Sequence, residues 1–171
     1  MDKIKNELHI VWVDPNKLHT PLYCVFWSID RLEEIKNLSL PFVLENGKLL
    51  TPIEFSIQDD IPKALSENRY DNRSFQACQN ELWQEWNIKS GGDLRLFVEL
   101  CKNYHIERIA YFVSHSEDLE AHPLHIKSDQ QSLWDGLHRV WAAIYLGRSE
   151  IKAYIFENKE DSDNWHKENS I

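Results

Sequence analysis

The sequence predicts an α+β fold, and three stretches predict it. Residues Leu133 to Gly147 read as strand, tight turn and helix: an apolar run closes on Asp135, turns at Gly136, continues with apolar residues at helical spacing and stops at Gly147. The runs Leu40 to Leu44 and Lys48 to Phe55 flank Glu45-Asn46-Gly47, the strongest short-range hairpin signal in the chain. Phe75, Cys78, Leu82 and Trp86 recur at steps of three and four, which makes Ser74 to Asn87 a helix with one buried face.

Composition sets the outer bounds. At 171 residues, 42% of them hydrophobic, the chain can bury one proper core, so a single domain over 1–171 is expected. No run approaches a membrane span, and Met1 to Glu7 lacks the apolar centre of a signal peptide, which points to a cytoplasmic protein with no membrane partner. Cys24, Cys78 and Cys101 are odd in number and set among apolar residues, as reduced core thiols are. The net charge of −9 disfavours broad attraction to nucleic acid; free nucleotides or small substrates fit better.

The remaining elements follow in order. Leu8 to Val13 is a short strand ended by Asp14-Pro15-Asn16, and Leu22 to Trp27 is a buried strand or an apolar turn. Asp30 with Glu33 opens a short helix, and Asp59-Asp60-Ile61-Pro62 caps another. Pro52 cannot donate to a ladder, so its strand belongs at a sheet edge. Arg69 and Arg73 near Asp71 read as a solvated loop or as a second anion clamp. Ser90-Gly91-Gly92 breaks the chain, Asp93 caps a helix with Leu94, Phe97, Val98 and Cys101 inward, and Ile106 to Val113 reads as a strand by its alternation. His115, His122 and His125 lie in a polar loop whose spacing matches no standard metal site. Ile151 to Phe156 is the last strand, and 157–171 is a charged tail that frays unless Trp165 docks.

The chemistry concentrates at Asp135-Gly136-Leu137-His138-Arg139. The first N–H groups of a helix lack internal partners and sit at the positive end of its dipole, so the turn is an anion site before any side chain helps. Arg139 adds a planar fork and His138 a donor that also moves a proton near neutral pH.

The pattern Asp-Gly-x-His-Arg-x-x-Ala, followed by a helix ending Leu146-Gly147 and by Ile151 to Phe156, resembles the signature of the ParB and sulfiredoxin superfamily. Val11 to His19 resembles that family's opening strand and turn, and Val98 to Val113 its helix leading into a strand; residues 20–92 do not align and would form a large insertion after the first strand. The resemblance implies a compact mixed sheet flanked by helices, with the turn facing a nucleotide. Sulfiredoxins carry a reactive cysteine where Leu137 stands here, which excludes their repair chemistry. CTP-switching members have Arg-Arg where this chain has His138-Arg139, and the helix-turn-helix of the partition proteins is missing. What remains similar includes small-molecule kinases, ATPases and nuclease-like proteins.

From that resemblance the expected activity is ATP hydrolysis or transfer of a phosphoryl group to a small-molecule acceptor. The backbone of Gly136, Leu137 and His138 with the Arg139 fork would hold the phosphates of ATP or another nucleoside phosphate, and His138 would donate to the transferring group. Asp135 would hold Mg²⁺ or cap the following helix. His19 stands where the free-serine kinases carry a catalytic glutamate and is the nearest candidate for proton transfer. Two other classes stay open. One is a nuclease or nucleic-acid-processing protein, favoured by a basic surface around Arg69, Arg73 and Arg148; the other is a non-catalytic module with a protein partner on residues 20–92.

Overall fold

A computed structural model of the chain describes residues 8–18, 21–26 and 29–169. In chain order the strands are β1 (His9–Val13), β2 (Leu22–Phe26), β3 (Val43–Glu45), β4 (Lys48–Ile53), β5 (Leu124–Ile126), β6 (Leu133–Asp135) and β7 (Ile151–Ile155). The α-helices are α1 (Leu32–Asn37), α2 (Asp60–Ser66), α3 (Phe75–Ser90), α4 (Leu94–Ser114), α5 (Asp118–Ala121), α6 (Leu137–Tyr145) and α7 (Lys159–Asn169). The α+β class holds, and the chain divides into two compact units, one from 1–20 with 112–171 and one from 21–111. The segment 20–92 read as an insertion falls almost wholly within the second unit.

In the first unit the sheet order is β1-β7-β5-β6, with β7 and β5 parallel and the outer pairs antiparallel. Its register aligns Ile10, Tyr154, His125 and Asp135 as one row across four strands, so these four side chains share a face. The core gathers Leu124, Ile126 and Ala153 from the sheet with Val140 and Ala143 from α6, all fully buried. A 3-10 turn, Pro15–Lys17, packs against α6, and the Asp14 carboxylate accepts from the Asn16 N–H to start it.

In the second unit β4 lies between β2 and β3, all antiparallel, with the β3–β4 hairpin turning through left-handed Asn46 and Gly47. Pro52 therefore sits on a central strand, against the expectation of an edge. The reason is local: β3 ends where Val43 meets Leu50, so at Pro52 only β2 lies alongside. Trp86 meets Phe97 edge-on at 5.8 Å, and Phe26 lies 5.4 Å from Phe97, forming an aromatic centre around which α3 and α4 pack.

Residues 106–113 are helical, which corrects the strand expected there. No glycine or proline falls between Asp93 and Ser114, and Leu94, Phe97, Cys101, Tyr104 and Ile109 continue one buried stripe at helical spacing. The alternation of Ile109, Tyr111 and Val113 was too short to outweigh that stripe. The tail is ordered as α7. Asp93 caps α4 as expected, its carboxylate accepting from the Leu96 N–H at 3.2 Å. No described helix is long and apolar enough to cross a membrane.

Candidate functional site

The strand, turn and helix stand where the motif puts them, as β6, Gly136 and α6. Gly136 has φ +111°, and a Cβ there would lie 2.5 Å from Leu124 Cδ2 and 3.1 Å from Arg139 Nη2. Both the backbone angle and the close approach demand glycine. No side chain caps α6 at Gly136, and Val140 N–H closes the first turn onto the Gly136 carbonyl at 3.0 Å. Asp135 accordingly does not cap the helix. At the other end Gly147, with φ +68°, supplies the left-handed stop.

Arg139 is placed differently from the open fork the motif suggests. Its side chain is buried, with Nη2 donating to Asp135 Oδ2 at 2.9 Å and Nη1 to the carbonyls of Pro123, at 3.0 Å, and His122. These bonds tie the segment entering β5 to the turn leaving β6. The guanidinium is a brace for the site. His138 and Leu137 stand half-buried on the first turn of α6. His19 lies outside the described residues.

Asp135 has a second neighbour that the motif does not contain, His166 of α7, whose Nε2 lies 3.1 Å from the same Oδ2. Burial works against the charge on Asp135. The adjacent His166 side chain and the Arg139 guanidinium outweigh it and hold the carboxyl well below the usual carboxylate range. Nε2 is the ring nitrogen of His166 that faces the carboxylate. Its side chain keeps 37% of its surface exposed, enough to meet a ligand.

Beneath His166 lies His125, stacked at 4.2 Å with the rings 14° from parallel. His125 is fully buried, shares a 2.7 Å hydrogen bond with Ser162 through Nδ1 and packs edge-on to Trp165 at 5.1 Å. Burial first, then the neighbouring His166, pushes its imidazole down to about 4, so it is neutral at physiological pH. The polar-loop reading of His125 is thus corrected: it is a β5 residue between buried Leu124 and Ile126. His122 contributes only its carbonyl, to Arg139.

Trp165 docks, against His125 and Tyr154, as the ordering of the tail required, whereas His166 and Ser162 were missed because the tail reads as charged and polar. A signal was present, since Ser162, Trp165 and His166 fall at i, i+3 and i+4 on one helical face. Among the described residues no group of three or more His, Cys, Asp or Glu side chains is arranged to hold a metal ion, and Asp135 Oδ2 is shared by Arg139 and His166.

The second clamp considered around Arg69 and Arg73 is a set of ion pairs in the other unit. Arg69 meets Glu67 and Glu107, while Arg73 meets Asp71 at 2.6 Å and Glu85 at 2.7 Å. Arg148 lies 3.6 Å from Glu120.

No family model, curated protein or solved structure matches the chain.

Proposed function

We propose that the first unit is a phosphate-binding module of the ParB and sulfiredoxin type, which takes a nucleoside triphosphate at the N-terminus of α6 and hydrolyses it or passes its terminal phosphoryl group to a small-molecule acceptor. The observation that carries this reading is the junction at Gly136, where a glycine with no room for a Cβ starts α6 directly beside the Asp135–His166 pair. A glycine turn brings backbone N–H groups close to a ligand, and the helix dipole favours its negative charge.

The roles of the side chains follow from their neighbours. Arg139 neutralises Asp135 and braces the turn, so an approaching phosphate does not meet an unbalanced carboxylate. His138, on the first turn, donates to the phosphate oxygens. His166 takes the proton of the attacking hydroxyl or water, and the Asp135 carboxylate beside it stabilises the imidazolium that forms. Mg²⁺ enters with the nucleotide, held largely by the phosphates and water, as this ion commonly is. Positioning and charge stabilisation are most of what phosphoryl transfer needs from the protein.

Isothermal titration with ATP, ADP, CTP and GTP in Mg²⁺, joined to a phosphate-release assay, tests the proposal. Wild type should bind at least one triphosphate, His138→Ala should weaken binding by about tenfold, a loss of about 1.4 kcal/mol, and His166→Ala should retain binding while losing turnover. Absence of binding to every nucleotide refutes the reading. We favour this reading over the nuclease alternative, because Arg69, Arg73 and Arg148 each stand beside carboxylates.

A further inference from the structure

Strand β1 ends the sheet of the first unit at an edge: among the described residues it pairs only with β7. An edge strand carries a row of backbone N–H and C=O groups without ladder partners, and proteins blunt such edges with short strands, charges or proline. The opposite edge of this sheet follows that rule, since β6 is three residues long and ends on the Asp135 carboxylate. β1 does not. It runs for five residues as His9-Ile10-Val11-Trp12-Val13, with no lysine, acidic residue, glycine or proline.

Its side chains leave the same edge apolar. Ile10 and Trp12 stand opposite Tyr154 and Lys152, on the face away from buried Val13 and Ile151. On that face α7 lays Trp165 against Tyr154 and His125, whereas Ile10 stays 49% and Trp12 52% exposed. Two apolar side chains at strand spacing beside an open backbone edge fit another strand, which meets the backbone groups and covers the side chains together.

Symmetry and charge select the strand. Turned antiparallel about Val11, β1 pairs with a second β1 over its whole length: Val11 meets Val11, Ile10 meets Trp12 in both directions, and His9 meets Val13. Each exposed apolar side chain gains an apolar neighbour on its own face, and no like charges oppose one another. In a chain of net charge −9, an uncharged strand is where two copies can approach without bringing carboxylates together. The geometry points to an isologous dimer of this chain, in which two β1 strands join two sheets into one continuous sheet. No residue of the phosphate turn takes part, so this interface stands or falls independently of the proposed activity.

The test is sedimentation of the full chain from about 10 µM to about 1 mM, at low and high salt. One strand pair is a small interface, so a dissociation constant of about 100 µM is expected. Added salt should tighten it by screening the repulsion between two acidic chains. Trp12→Lys should remain monomeric throughout while melting with wild type. Under oxidised glutathione Val11→Cys should form a disulfide-linked dimer, its Cα atoms about 5 Å apart across the two-fold axis. His9→Cys should not, because its two copies lie about 14 Å apart along the paired strands. A wild-type chain that stays monomeric at about 1 mM overturns the proposal and leaves the edge to a strand of another protein. So does a Trp12→Lys chain that associates as wild type does, or a His9→Cys chain that cross-links as readily as Val11→Cys.

Discussion

Replacing Arg139 by methionine separates two readings of the motif. As an open phosphate fork, Arg139 would be lost at little expense to the fold and at large expense to ligand affinity. The structure instead gives it three acceptors: the Asp135 carboxylate and the carbonyls of His122 and Pro123. Methionine fills much of the same volume, so the change removes the polar partner without opening a large cavity. Removing one member of a buried ion pair costs about 3–5 kcal/mol because the other charge is stranded. His166 remains beside Asp135, and its side chain is only partly buried, which places the expectation at the lower end, about 3 kcal/mol. For a unit of about 80 residues that corresponds to a fall in Tm of about 12–24 °C. The assay is thermal and urea unfolding followed by amide signals from β5 and α6, so that the transition read belongs to the first unit. An Arg139→Met protein that melts with wild type would refute the brace and restore the fork.

Other consequences can be measured alongside. The His125 imidazole is pushed to about 4 from an ordinary 6.5, so on acidification the unfolded chain takes up a proton that the folded chain refuses; stability of the first unit should be full above pH 6.5 and fall by about 3 kcal/mol by pH 4, and His125→Gln should flatten that slope. Burial likewise lowers His105 to about 4 in the second unit, so a comparable loss over the same pH range should be read on amides of α4 and β2 in the His125→Gln protein. Trp165→Ala removes the ring against His125 and Tyr154 and should increase hydrogen exchange of α7 by at least tenfold while leaving α6 amides protected. Arg73→Met strands Asp71, which is nearly buried, and should destabilise the second unit by about 1–3 kcal/mol, a value discounted for the third of Arg73 that solvent screens, with nucleotide binding by the first unit unchanged.

The parts of the fold legible in the sequence were those fixed by local chemistry. Asn46-Gly47 takes the left-handed turn that only such residues adopt without strain, and Gly136 and Gly147 bracket a helix whose inward residues repeat at its own period. Where a short alternation competed with a long helical stripe, as at 106–113, periodicity over a few residues misled. Pro52 shows how an edge rule can hold on a central strand, since pairing is decided residue by residue.

The site was half legible. Asp135, Gly136 and Arg139 could be found because they lie within one short motif, yet the sequence could not say that the guanidinium faces inward to two carbonyls, since those carbonyls carry no side-chain signature. His125 and His166 are 41 positions apart and meet only because the register sets His125 beside Asp135 while α7 returns across the sheet. Long-range pairing of that kind leaves no local trace.

The central claim is that the α6 N-terminus receives phosphate, and amide NMR of the wild-type chain titrated with Mg²⁺-ATP addresses it at the atoms concerned. The account predicts saturable downfield shifts of the Leu137, His138 and Arg139 amides, as N–H groups that begin to donate to a phosphate show, with the His166 ring signals moving in step. Saturation that leaves those three amides in place, or no saturation by any nucleotide, contradicts it.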